Sequence, residues 1–144
     1  METGTGKTYV YTRTIFELNR RYGLTKFIIV VPSVAIREGV LKSFRSTKGH
    51  FATLYNNAPM DVFVYDSKDM GPVGNFATSS SIQAMIINIG NFNKGFQNDG
   101  GADEGNLFHR PSEHLPGGRS PRELVAECRP IVIIDEPQSV DNTA

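Results

Sequence analysis

The chain reads as an α/β protein built on a mostly parallel sheet flanked by helices. Three observations predict this. A Gly-Thr-rich run, Met1-Glu2-Thr3-Gly4-Thr5-Gly6-Lys7-Thr8, opens directly onto a helical pattern. Apolar runs rich in β-branched residues, the mark of strands covered on both faces, alternate with helical spacing through the first half. Near the other end, Ile131-Val132-Ile133-Ile134-Asp135-Glu136 is an apolar strand that finishes in paired carboxylates.

Taken in order, Lys7 to Tyr22 is predicted as a helix. Tyr11, Ile15, Leu18 and Tyr22 share a face, Arg20 and Arg21 occupy the last turn, and Gly23 supplies a stop. Phe27 to Val31 is a buried strand ended by Pro32, and Ser33 caps a helix over Val34 to Phe44, spaced through Val40, Leu41 and Phe44. Two shorter strands are expected at Phe51 to Tyr55 and Val62 to Tyr65, divided by the turn Asn56-Asn57-Ala58-Pro59. Ala84 to Ile89 and Ile131 to Ile134 are again buried-strand runs, with a short helix over Arg122 to Glu127 before the last. Asn91 to Pro121 breaks the alternation; Gly, Asn, Asp, Pro and Ser dominate it, so a long flexible insertion is expected there.

The chain has 144 residues, enough for one domain with a real core. Fifteen basic and fifteen acidic residues sum to zero, which neither supports nor excludes nucleic-acid binding, since a local basic surface decides that. The single cysteine, Cys128, cannot form an internal disulfide and fits a reducing compartment. No apolar run approaches the roughly 18 residues of a membrane span, and no signal-peptide pattern opens the chain. A soluble cytoplasmic protein is expected.

The two terminal motifs carry chemistry. Gly4 and Gly6 allow backbone angles that turn successive N–H groups inward around a phosphate, and the helix start behind them adds partial positive charge. Lys7 is placed to reach the β- and γ-phosphates, and the Thr8 hydroxyl to ligate magnesium. The strict pattern asks for glycine where Met1 stands. The alternative, a Gly-Thr turn that simply caps a helix, is disfavoured by the complete Gly-x-Gly-Lys-Thr run. At the far end Asp135 is suited to hold magnesium through water, and Glu136 to orient and deprotonate an attacking water. Two solvated acids at a strand end are the bland reading, weakened by a phosphate cradle in the same chain. Both motifs lie so near the termini that a piece of something larger is expected, with Met1 an internal methionine.

These residues resemble a known family. Met1 to Thr8 looks like motif I of superfamily-two helicases and translocases, and Asp135-Glu136-Pro137-Gln138 looks like their motif II. The Pro-Gln ending resembles the motor subunit (Res) of type III restriction enzymes. Ile28 to Val40 is similar to motif Ia of that subunit, and Ile86 to Lys94 to the segment between Ia and II, although Asp or Ser is more usual there than Gly90 or Asn91.

The resemblance implies a P-loop NTPase of RecA-like fold: residues 1–144 as a partial ATP-binding motor domain, with Thr3, Gly4, Thr5, Gly6, Lys7 and Thr8 holding ATP, Thr8 and Asp135 holding Mg2+, and Lys7, Asp135 and Glu136 catalytic. It implies that Pro32, Ser33 and Arg37 contact the DNA backbone, where a plain N-cap and a solvated face are the bland readings, and that Gln138 couples nucleotide state to DNA or to a second motor domain. The partners implied are double-stranded DNA and a methylation and specificity (Mod) subunit. A strand before the P-loop, strands after motif II, a second RecA-like domain and a nuclease domain lie outside the sequence, so the chain alone is expected to be poorly stable and nearly inactive. Another restriction or repair helicase of the superfamily, or a P-loop switch that never moves on DNA, is the alternative.

Other signals point elsewhere with less force. His109, His114 and Cys128 fit no common zinc spacing. The acidic run from Asn98 to Glu104 misses the calcium-loop order. Cys128 has no base in evidence and reads as a core or boundary thiol. Lys42, Arg45 and Lys48 form a basic cluster equally suited to DNA and to a solvated helix end.

Overall fold

In the computed structural model, the residues described are 6–66, 68–90, 115–118 and 120–135. They form α1 (Lys7–Tyr22), β1 (Lys26–Val31), α2 (Val34–Leu54), β2 (Met60–Val64), α3 (Gly71–Thr78), β3 (Ile82–Asn88), α4 (Pro121–Glu127) and β4 (Ile131–Ile134). The sheet is four-stranded in the order β2-β3-β1-β4, and every pairing is parallel.

Parallel strands need helices on both faces, and the alternation of side chains shows how each face is filled. Phe27, Ile29 and Val31 of β1 join Ala84 and Ile86 of β3 beneath α1 and α2, with Ile15, Phe16, Val40, Phe44 and Phe51. Ile28 and Val30 join Met85 and Ile87 on the opposite face, with Val73 and Phe76 of α3 and Leu124 and Val125 of α4. β1 and β3 are therefore covered on both sides, which is why Phe27 to Val31 and Ala84 to Ile87 run apolar without alternation.

Several elements fall where the sequence puts them. α1 spans the expected residues, and Gly23 at its end takes φ +71°, a left-handed conformation in which its N–H bonds Asn19 O at 2.8 Å. Ser33 caps α2 by accepting from the Ile36 amide. The Asn56-Asn57 turn holds both residues at positive φ, 53° and 58°, angles that asparagine tolerates. α4 begins with a capping box in which Ser120 and Glu123 exchange side-chain bonds with each other's backbone amide.

Other expectations are corrected. Phe51 to Tyr55 is not a strand: α2 continues to Leu54, because Phe51 follows Phe44 by seven residues and drops onto the same buried stripe. α1 buries Thr8, Thr12, Ile15 and Phe16, whereas Tyr22 is 71% exposed, so the helix is rotated from the face expected. α3 was not expected; its sequence, Gly-Pro-Val-Gly-Asn-Phe-Ala-Thr, carries Pro72 in the first turn and buries Val73 and Phe76. Within the stretch expected to be an insertion, Leu115 is buried in the core against α3 and α4; residues 91–114 and 119 lie outside those described.

β4 is a strand as expected but not the buried run expected of Ile131 to Ile134. Ile131, Val132 and Ile134 are exposed, Val132 by 43%, while β1 beside it is sealed. Apolar side chains left open in this way lack the cover that a parallel strand normally has. The whole is an incomplete RecA-like P-loop arrangement, as expected.

Candidate nucleotide site

The polarity of α1 sets one half of the site. Gly6 at its N-cap carries no side chain that could bond the first-turn amides, and the first helical bond, from Val10 N–H to Gly6 O, is 3.1 Å. Uncapped N–H groups at a helix start attract anions. Lys7 and Thr8 occupy this turn, Lys7 half-exposed and Thr8 buried.

The other half arrives with β4. In register, Val30 of β1 lies opposite Ile134, and the Asp135 amide donates to Val30 O at 2.9 Å, extending the ladder one residue past the strand. That bond fixes Asp135 at the C-terminal edge of the sheet, where open α/β sheets bind ligands. Its carboxylate then lies 3.8 Å from the Lys7 ammonium, with side-chain exposures of 11% and 34%. The structure thus brings Lys7, Thr8 and Asp135 together from opposite ends of the chain.

Two residues that sequence reading passed over support this turn. The Tyr11 hydroxyl donates to Thr8 Oγ1 at 3.2 Å, and the Thr12 hydroxyl donates to Thr8 O at 2.6 Å. Thr8 is therefore held from both its side chain and its backbone, while its own O–H stays available to another partner. Burial pushes the Tyr11 phenol up to about 12, the Thr8 bond lowers it in part, and the Asp135 charge raises it further, so Tyr11 stands as a neutral wall beside the acid. The signal was in the spacing: positions three and four after Thr8 lie over it on a helix.

Pro32, Ser33 and Arg37 sit at the junction of β1 and α2, at the same edge of the sheet. The Arg37 guanidinium meets Glu38 at 3.2 Å, and its Nε is buried without a hydrogen-bond partner among the described residues. Lys42, Arg45 and Lys48 are exposed on α2. Cys128 Sγ lies 3.4 Å from Leu124 O in the α3–α4 core, and burial pushes its thiol up, as a boundary thiol should behave. Thr3, Gly4, Thr5, Glu136, Gln138, His109 and His114 lie outside the described residues. Among the described helices none is long and apolar enough to cross a membrane.

The donor set fits a magnesium-bound polyphosphate: an uncapped helix start, an ammonium, a hydroxyl held in place and a shielded carboxylate converge. The family model described as type III restriction enzyme, res subunit, matches residues 1–137. The chain is 36% identical over 154 residues to the type III restriction-modification enzyme StyLTI Res subunit of Salmonella typhimurium, and 36% identical over 149 to the EcoPI Res subunit of Escherichia phage P1. It is 33% identical over 153 residues to the EcoP15I Res subunit of Escherichia coli. Each match covers 95% of this chain and 15% of the relative, so the chain spans a small part of their length. No solved structure matches it significantly. The chain belongs to the type III restriction enzyme Res subunit family.

Proposed function

We propose that this chain is the ATP-binding and ATP-hydrolysing part of a DNA translocase of type III restriction–modification, a reaction of ATP with water to ADP and phosphate coupled to movement on DNA. The observation that supports it most directly is the contact between Lys7 and Asp135, the expected phosphate ligand and the expected metal ligand.

In this reading the backbone from Thr3 through Gly6 cradles phosphate, and Lys7 turns from Asp135 to the β- and γ-oxygens. Thr8, fixed by Tyr11 and Thr12, and Asp135 hold Mg2+, which when bound neutralises charge that develops on the transferred phosphoryl group. Glu136 takes the proton of the attacking water. Pro32, Ser33 and Arg37 grip the phosphate backbone of double-stranded DNA without reading its sequence, which suits a moving motor. Gln138 passes the nucleotide state to a second RecA-like domain.

The partners proposed are double-stranded DNA, a Mod subunit that specifies the site, and the second motor and nuclease domains of the longer protein, acting together in the cytoplasm. Alone the chain should turn over ATP barely at all, since arginines supplied by another domain are worth roughly 10³–10⁵ in related phosphoryl transfer.

The test is the ATPase rate of a longer polypeptide that contains the second motor domain, with and without duplex DNA. Stimulation by DNA that Lys7→Ala abolishes is expected. A rate indifferent to DNA would favour a nucleotide switch, and robust turnover by the 144-residue chain alone would refute the dependence on a second domain.

A further inference from the structure

A second concavity lies away from the Lys7 and Asp135 site. It is a cavity of about 500 Å³ between α1, the C-terminal half of α2 and the start of β2. That volume falls in the range of small-molecule sites, roughly 300–1,000 Å³. Neither Lys7 nor Asp135 lines it.

Its lining has two chemistries. Phe16, Phe44 and Phe51 lie buried behind one wall, and the apolar surface open to the cavity comes from Leu41, Ala58, Met60 and Val62. Phe16 and Phe51 lie nearly parallel, with ring centroids 5.4 Å apart and planes 15° off, and Tyr55 stacks on Phe16 at 4.9 Å and 10°. This stack makes a rigid apolar backing to the cavity. The opposite chemistry comes from Arg45 and Lys48, which line the cavity from the exposed side of α2. Among the described residues neither has a carboxylate within ion-pair distance. The acid nearest in the lining, Asp61, is engaged instead by the Gln83 amide at 2.9 Å. The hydroxyls of Thr12 and Thr47 are likewise satisfied, by Thr8 O and Ser43 O. Asn57 adds a neutral amide, and the two cations outnumber the single carboxylate, so the cavity presents a net positive charge to a ligand.

We propose that this cavity binds a small apolar anion, its apolar body against Leu41, Ala58, Met60 and Val62 and its negative group toward Arg45 and Lys48. Thr12 gives the site a line to the nucleotide end of the molecule. Its side chain is part of the cavity wall, and its hydroxyl holds the carbonyl of Thr8 one turn away. A ligand pressing on Thr12 is felt at the residue proposed to hold magnesium.

The test is a titration of the isotopically labelled chain with naphthalene-1-sulfonate, followed by two-dimensional amide NMR, with neutral naphthalene-1-sulfonamide as the control. Saturable shifts clustered on Leu41, Ala58, Met60 and Val62 are expected, with Thr8 and Thr12 following. The sulfonamide, and the sulfonate on the exposed-residue double variant Arg45→Ala/Lys48→Ala, should each bind roughly fivefold to tenfold more weakly. Ala52→Leu, which narrows the cavity without touching the charges, should weaken both ligands alike. Equal affinity of sulfonate and sulfonamide would overturn the anionic part of the proposal. Shifts centred on Ile131, Val132 and Ile134, which would mean adsorption to the open apolar surface of β4, or no saturable shifts at all, would overturn the site itself.

Discussion

Lys7 and Asp135 face one another at 3.8 Å, longer than the roughly 2.7–2.9 Å of a close charge-assisted hydrogen bond. A pair this loose, with the lysine one-third exposed, contributes about 0–1 kcal/mol to stability. Either group can turn to another partner at little cost, which suits the exchange for phosphate and metal proposed for them.

Lys7→Ala and Asp135→Asn should accordingly change the midpoint of urea unfolding by less than about 1 kcal/mol. Their effects on a fluorescent ATP analogue should differ. Lys7→Ala is expected to weaken binding about 10–100-fold with or without magnesium, the loss typical of a bond to a charged group. Asp135→Asn should weaken it only when magnesium is present. Titrations in magnesium and in chelator separate the two, and a metal-independent loss in Asp135→Asn would contradict the assignment.

Tyr11 predicts an alkaline instability. Its pKa in the fold is raised to about 12 from an ordinary 10.0, chiefly by burial. Between those values the unfolded chain releases the phenolic proton while the native chain keeps it, so native stability is complete below about pH 10 and is lost as pH climbs toward 12. Tyr65, also raised to about 12 by burial, adds to the same loss. Urea midpoints at pH 8.5 and 11.5 should therefore differ less for Tyr11→Phe than for the parent chain. Identical pH dependence would show that Tyr11 is not held neutral.

Two glycines should respond to alanine in opposite directions. Gly23 has φ +71° with nothing within 4 Å of an added Cβ, so Gly23→Ala costs only the left-handed conformation, about 1–2 kcal/mol. Gly39 lies inside α2, also with open space around a Cβ, so Gly39→Ala should stabilise by about 0.5–1 kcal/mol through helix propensity. Thermal unfolding of the pair checks both signs.

Phe51→Ala should cost about 3–5 kcal/mol, because the ring is fully buried and contacts Tyr9, Phe16 and His50. Val132→Ala, on the exposed face of β4, should stay within about 0.5 kcal/mol. Comparable losses at both positions would mean that β4 is covered in solution.

The parts of the fold that were legible in the sequence had local causes. α1 is bounded by a Gly-Lys start and a left-handed glycine, β1 and β4 declare themselves by mostly β-branched apolar runs, and β3 by the apolar run from Ala84 to Ile87. The illegible parts depended on packing. Phe51 to Leu54 have strand-like composition, yet the seven-residue return from Phe44 to Phe51 lands both on the sheet, and burial outweighs propensity. α3 contains two glycines and a proline and forms because Val73 and Phe76 seal the face opposite α2. For the candidate site, residue types and order singled out Lys7, Thr8 and Asp135, and the fold sets Lys7 beside Asp135. Tyr11 and Thr12 escaped because their role is to steady Thr8, and no motif records a neighbour that acts only through another side chain.

One consequence follows from the way β4 is attached. It has four residues, ladders with β1 along one side among the described residues, and leaves most of its side chains open, so of the four strands it is the one most prone to fray. When it peels away, Asp135 departs with it, while β2, β3 and β1 keep their mutual bonds. The acidic half of the pocket can therefore come and go in a local opening far smaller than denaturation. Anything that bridges Lys7 and Asp135 would act as a clasp on the frayed strand, slowing the exchange of its amides while leaving those of β3 untouched.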